Sequence, residues 1–541
     1  MSATTDDSRA CLWMTSETGD SAREGVTLRY DPVARVAGIS RRPLRIGLVV
    51  LGVVLLQAAW VVGTPGFGGP DEPSHYLRAL SIVNGQVIGP KVPYSDRFLS
   101  SAQLAFANHD TTAVLVPARL APFGVNCRTG QPNIRGSCIE ADPNGNFPPL
   151  PYLLPAMVLS DAHTAVSAFW WMRVASMLPA LAFLILAVAL LWDGTGWSLL
   201  GLLASLSPMV LFVSSVLNPS GLQITACLAF AAAALRIARD PTSVLPWVWP
   251  VFAVSGAVAI LAGPIGLEFA LFDLVVFGLV LGPRGLREVR ARTSPRTLAL
   301  SAVTLVTAGV LALTYTRVAG FSATIGFTPI LSSLRQGVHQ LPPVLRDSVG
   351  TFGALNVPLP SAARWVWWIL VLALLISAIL LGDRRERWLV VAVAVLGLAF
   401  PVLFYAWIDR FTGFGLQGRE VLPALMLIPL VAGEVVNRHS PRFAHRPSAR
   451  LILGVALGLA AAFQAFAWWY DAAKVTGAAG RIDFYNHADW PAPAGWRFWA
   501  SVAAIGAVAL LAFAAGEALN DARVTGQKSA KMLRRPSRSS T

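Results

Sequence analysis

The chain has 541 residues, of which 55% are hydrophobic and only 13% charged, and its mean hydropathy is +0.58. A soluble protein of this length needs far more surface charge, so the composition excludes that class and specifies a polytopic membrane protein. The net charge of +14 does not call for a nucleic-acid partner, because the basic residues fall in short clusters between apolar runs rather than in one patch.

The first apolar run, 44–62, is about 19 residues long and covers roughly 28 Å, the thickness of a hydrocarbon core. It follows a polar stretch that includes Arg35, Arg41, Arg42 and Arg45, and it is too long for the apolar part of a signal peptide, so it reads as a retained anchor. Directly beyond it stands Pro70-Asp71-Glu72-Pro73-Ser74-His75. The two prolines keep the carboxylates out of a regular helix, and a helix from Ser74 onward sets His75 and Arg78 on one side, three residues apart. A carboxylate beside a histidine and an arginine can deprotonate a hydroxyl, coordinate a divalent ion or position a phosphate; the same residues also fit an ordinary loop start.

Farther along the first loop, Cys127 and Cys138 are expected to form a disulfide in an oxidising compartment. Cys11 and Cys227 imply nothing, and no metal-ligand spacing of Cys or His appears. Phe147-Pro148-Pro149 then introduces 150–159, which is too short to cross and is expected to form an interfacial or re-entrant helix.

Further apolar runs lie at 168–191, 198–217, 221–238, 244–262, 265–282, 298–316, 364–382, 388–407, 421–436, 451–469 and 497–516, which makes about twelve spans. With the N-terminus in the cytoplasm, every arginine cluster falls inside: Arg236 and Arg239, Arg284 to Arg296, Arg384 to Arg387, Arg438 to Arg450, and the basic tail. The expected organisation is therefore a disordered cytoplasmic segment 1–43, one membrane domain 44–516 and a basic cytoplasmic tail 517–541. The outer face receives loops 63–167, 317–363 and 470–496, the first being the largest.

Several outer turns carry polar signals. Asn218-Pro219-Ser220-Gly221 suits a helix cap or a groove contact, and the Gly- and Pro-punctuated stretch 347–360 suits a groove lining or a packing loop. Gln417-Gly418-Arg419-Glu420 places an arginine at the depth of a lipid-linked phosphate, whose geometry its guanidinium fork matches; a snorkelling arginine is the plain alternative. Charges inside spans are few: Arg173, Glu268 and Asp273, with Glu268 shallow enough to face an outer groove.

Together, Pro-Asp-Glu-Pro-x-His at 70–75, Pro-Pro-Leu-x-Tyr at 148–152, Asn-Pro-x-Gly at 218–221, Phe-Gly…Pro-Leu-Pro at 352–360 and Gln-Gly-Arg-x-x-x-Pro at 417–423 resemble the membrane family called domain of unknown function 2142. That family looks related to the GT-C class of membrane glycosyltransferases. Two positions depart from the pattern: Glu420 stands where a tyrosine usually follows, and Ser220 where an acidic residue is common. The resemblance implies an all-α, GT-C-like membrane protein that transfers a sugar, with inversion, from a polyprenyl-phosphate donor to an envelope glycan or lipid acceptor on the outer face of the plasma membrane. It implies Asp71 as general base, with Glu72 as its partner or as an ion ligand beside Asp71 if a divalent cation takes part, and the two carboxylates could exchange roles. Arg419 would contact the donor phosphate, and His75, Arg78, Asn218, Glu268 and Gln417 would be further substrate contacts. The competing readings are a transporter or flippase of lipid-linked glycans and a non-catalytic envelope-assembly protein. Sparse intramembrane charge, the lack of an evident repeat and polar motifs gathered on one face all disfavour a carrier.

Overall fold

A computed structural model of the chain describes residues 41–90, 112–121, 137–142, 144–241, 244–319, 329–412 and 416–519. Nearly all of the two terminal segments expected to be disordered lies outside these residues, as does Cys127, and with it the expected bridge to Cys138.

The chain runs α1 (Arg41–Val61), α2 (Glu72–Val83), β1 (Thr112–Pro117), β2 (Ser137–Asp142), α3 (Leu153–Ser160), α4 (Ala165–Leu191), α5 (Trp197–Ser205), α6 (Pro208–Val213), α7 (Pro219–Arg239), α8 (Val248–Leu261), α9 (Gly266–Arg292) and α10 (Pro295–Ala319). It continues through α11 (Ile330–Gly350), β3 (Thr351–Phe352), β4 (Val357–Pro358), α12 (Ser361–Leu381), α13 (Arg384–Thr412), α14 (Leu422–Leu425), α15 (Leu427–His439), α16 (Pro447–Val475) and α17 (Trp496–Leu519). The only described strands pair as two small antiparallel ladders, β1 with β2 and β3 with β4. The protein is an all-α polytopic membrane protein.

Among the described residues, ten helical segments are long and apolar enough to cross a membrane. Two of the twelve expected runs take another form. The run at 198–217 is parted into α5 and α6, because Pro208 opens a new helix and cannot continue the old one. Gln464 takes up a backbone group freed there by donating to the Leu206 carbonyl, and Ser207 ties the break to the end of α11 by donating to the Ser348 carbonyl at 2.8 Å. The run at 244–262 yields the 14-residue α8, about 21 Å long and short of a full crossing. In α9, Pro283 cannot donate to the Leu279 carbonyl, and the helix kinks at Gly282 (φ 61°). Arg385 covers the exposed carbonyls, donating to Val280 at 2.7 Å and Leu279 at 3.3 Å.

The centre of the bundle is α7 and the 418–442 segment, with 89% and 94% of their apolar windows buried against 17% for peripheral α10. Where α5 crosses α15, Gly201 and Gly433 bring backbones into direct contact: a Cβ at Gly433 would stand 2.3 Å from the Gly201 Cα.

The two ends of the bundle differ. At one end, Glu517 pairs with Arg45 and accepts from the Gly196 amide, while Glu434 pairs with Arg239 and Arg438 and Glu386 contacts His439. The other end carries a cap formed by α2, β1, β2 and α3. Its core joins Tyr76, Leu77 and Leu80 of α2 to Val114, Val116, Leu120 and Leu159, and to Phe169 and Met172 of α4. The expected short helix at 150–159 forms a 3-10 turn, Leu150–Tyr152, followed by α3. Leu153, Leu154 and Met157 of α3 remain exposed, an apolar face suited to lipid.

Candidate functional site

The site is built on the chain reversal between α1 and α2, and Arg173 of α4 sets that reversal. Its Nε and Nη2 donate to Glu72 at 2.7 and 2.6 Å, Nη1 donates to the carbonyls of Val61 and Thr64, and Nη2 donates to that of Pro65. Every N–H direction of the guanidinium is thereby used. Glu72 is completely buried and also accepts from the backbone amides of Gly69 (2.8 Å) and Leu217 (2.9 Å). The expectation that Glu72 partners the base or holds an ion is therefore corrected: its oxygens are committed to the fold. Asn218 is corrected in the same way. Its Oδ1 accepts from Ser220 N as the cap of α7, and its Nδ2 donates to the Pro70 carbonyl at 3.0 Å, so it clamps the turn instead of facing a substrate.

These clamps present Asp71, one residue earlier, at the N-cap of α2 in the left-handed region (φ 57°, ψ 15°), which aspartate tolerates better than most residues. Its side chain makes no cap hydrogen bond, is 53% exposed and pairs with Nη2 of Arg419. Arg419 comes from a 3-10 turn, Gly418–Val421, shaped by a 2.9 Å hydrogen bond from Gln417 N to Glu420 Oε2. Gly418 is needed there because a Cβ would stand 2.4 Å from the Ser348 amide nitrogen. The stretch 347–360 thus supports the arginine from behind.

Arg419 is only 4% exposed, and its Nε and Nη1 are buried without a hydrogen-bond partner. Unmatched donors on a buried cation are costly, and an anion would satisfy them. Burial pushes the Asp71 carboxyl up, but the charge and hydrogen bond of Arg419 outweigh it and leave Asp71 below its ordinary 3.8.

His75 lies beneath this pair, 3% exposed, with Nδ1 2.8 Å from the Tyr152 hydroxyl and 3.1 Å from Asn144 Nδ2. Burial drives its pKa down to about 3 against the opposing pull of Asp71. The ring is therefore neutral, and with two donors facing Nδ1 its proton belongs on Nε2. Burial also raises the Tyr152 phenol well above its usual value, which keeps it a donor.

Arg78, expected as a substrate contact, is fully buried and holds the cap together. It donates to the carbonyls of Phe147 (2.8 Å), Gln86 (3.1 Å) and Val87 (2.6 Å) and to the Tyr315 hydroxyl. Glu268 stands exposed on the first turn of α9, outside the hydrogen bonds of the Asp71–Arg419 pair. Gln417 contributes its backbone to the arginine turn.

Among the described residues, no group of three or more His, Cys, Asp or Glu is arranged to hold a metal ion. Because the oxygens of Glu72 are taken, Asp71 and Glu72 do not fit a divalent cation as joint ligands. The arrangement offers an exposed carboxylate able to accept a proton and a buried guanidinium able to receive an anion. The contributions of Tyr152, Asn144 and the Arg173 clamp are additional to those read from the sequence. Arg173 signalled itself as a charge inside a span and Tyr152 as part of the Pro-Pro-Leu-x-Tyr segment, whereas Asn144 lies in none of the motifs.

A comparison with curated proteins finds no match. Solved structures with a similar course include ArnT from Cupriavidus metallidurans in the apo state, at 16% identity and a TM-score of 0.43, with 88% of this chain and 77% of that one covered. The same protein bound to undecaprenyl phosphate matches at 15% identity and a TM-score of 0.42, over 87% and 78% of the two chains. The family model described as "Predicted membrane protein (DUF2142)" matches residues 54–428, a span that contains all five shared motifs and both members of the Asp71–Arg419 pair, and the chain belongs to that family.

Proposed function

We propose that this protein is a membrane glycosyltransferase that moves a sugar from a polyprenyl-phosphate donor to a glycan or lipid acceptor of the cell envelope, on the outer face of the plasma membrane. The observation that carries this reading is the buried Arg419, with two unmatched donors, paired to the exposed carboxylate of Asp71. The apolar face of α3 on the same cap would lie along the lipid from which such a donor arrives.

In the proposed reaction Asp71 removes the acceptor hydroxyl proton as the acceptor oxygen bonds to the anomeric carbon, with inversion. The bond from that carbon to the phosphate oxygen breaks, and polyprenyl phosphate leaves with one more negative charge, which Arg419 stabilises. No step requires a metal. The neutral His75 is held under the turn by Tyr152 and Asn144. In this reading both termini are cytoplasmic, the end of the bundle bearing Arg239 and Arg438 faces the cytoplasm, and the cap faces out.

The deciding experiment replaces the only cellular copy by Asp71→Asn and profiles lipid-linked sugars and envelope glycans. Accumulation of a polyprenyl-phosphate sugar in the outer leaflet together with loss of one glycan substituent is the expected result. Accumulation in the inner leaflet would mark a flippase, and an unaltered profile would leave a non-catalytic role. A cysteine placed at exposed Ser160 should react with a membrane-impermeant reagent in intact cells; labelling only after permeabilisation would reverse the orientation.

A further inference from the structure

We propose that the Asp71–Arg419 pair is a latch: the carboxylate and the donor phosphate compete for one guanidinium, and arrival of the phosphate frees Asp71 to act as the base. This inference rests on the glycosyltransferase reading and adds an order of events to it.

Three features carry it. First, the exposed partner covers the buried one. Asp71 is 53% exposed and Arg419 only 4%, while the unused Nε and Nη1 are closed to solvent. Second, a planar guanidinium offers two two-pronged edges, Nε with Nη2 and Nη1 with Nη2, and both contain the nitrogen that Asp71 occupies. Nη2 has two hydrogens, so a phosphate on the edge that Asp71 uses must displace the carboxylate, and one on the other edge sits beside it, where the two like charges repel. Third, the partners differ in freedom. Arg419 is backed by the contact of Gly418 with Ser348, whereas the Asp71 side chain has no hydrogen bond to its own helix. The exchange moves the carboxylate and leaves the arginine in place. While latched, Asp71 is a weak base, because the arginine lowers its affinity for a proton; once the phosphate takes the arginine, that restraint is relieved. Proton removal then waits for a bound donor.

The test is binding of farnesyl phosphate, with farnesol and inorganic phosphate as separate arms, to the purified full chain and to Asp71→Asn, Asp71→Gly and Arg419→Gln. Asparagine and glycine both accept the left-handed backbone at this position, so folded variants are expected. If the latch exists, both Asp71 variants bind farnesyl phosphate about tenfold more tightly or better, the scale of one charged hydrogen bond, and farnesol affinity does not change. Equal or weaker binding by both Asp71 variants, with Arg419→Gln still impaired, overturns the latch and leaves the phosphate site standing. Undiminished binding by Arg419→Gln overturns the phosphate site and the latch with it. A gain confined to inorganic phosphate would reject competition by a lipid-linked donor.

Discussion

Two arginine–carboxylate pairs meet the chain at consecutive residues, and they are finished differently. Arg173 and Glu72 are sealed and fully hydrogen-bonded, with five guanidinium contacts and two backbone amides accounted for. Arg419 and Asp71 share a single contact, with two arginine donors unmatched and the carboxylate open. The first pair has no capacity left for a ligand and every reason to resist change. The second has capacity left over, and is where chemistry can occur. Satisfaction of hydrogen-bonding groups, more than residue type or position, separates scaffold from site.

The sharpest way to break this contrast is Asp71→Asn, which keeps the size of the side chain but cannot accept the proton. Sugar transfer should fall by about 100- to 10,000-fold, with a smaller loss of thermal stability than at the sealed pair because Asp71 is 53% exposed; transfer at the unmutated rate would remove Asp71 from the reaction. Glu72→Gln should do the reverse. It strands the buried Arg173 charge and should cost about 3–5 kcal/mol of stability, seen as a large drop in thermal stability or in the yield of folded protein. A stable Glu72→Gln protein that had lost only transfer would erase the distinction.

Arg419→Lys should weaken donor binding by roughly 10- to 100-fold, since a point charge replaces a planar fork, and isothermal titration with a polyprenyl phosphate would show it. His75 adds a pH signature. Its folded pKa is about 3 against an ordinary 6.5, so between those values the unfolded chain binds a proton that the folded chain refuses. Stability therefore falls as pH falls from 6.5 towards 3, by at most ~1.4 kcal/mol per unit. His75→Gln should melt with a shallower loss between pH 7 and 5 than the parent protein. Asp142, pushed up to about 6 by burial from an ordinary 3.8, acts in the opposite sense and is present in both. The smallest effect expected is that of Tyr152→Phe, about 1 kcal/mol for one hydrogen bond, measurable by the same melts.

Span positions were legible in the sequence because hydrocarbon thickness imposes a length that composition reveals. The break at Pro208 and the short α8 were less so: an apolar run records burial and not whether the backbone inside it is continuous. Asp71 and His75 share one motif and Arg419 comes from another, which the sequence could align with the first only by depth. Glu72, Arg78 and Asn218 read as site residues because their types suit substrate contact. What diverts Glu72 is the Arg173 side chain together with the Leu217 amide, and what diverts Arg78 and Asn218 is the Phe147 and Pro70 carbonyls, backbone groups that carry no side-chain signature. A one-residue difference between Asp71 and Glu72 decides which carboxylate enters α2 and is buried, and only the αL turn at Asp71 reveals it.

That left-handed turn also bears on how the protein can change over time. Of the residues that sit comfortably at positive φ, aspartate, asparagine and glycine, only aspartate carries a charge. Substitution by either of the other two would preserve the turn and its clamps while removing the carboxylate. Under the proposed reaction, relatives with asparagine or glycine at this point would keep the fold and lose the base, and identity at this one position would separate them where overall similarity does not.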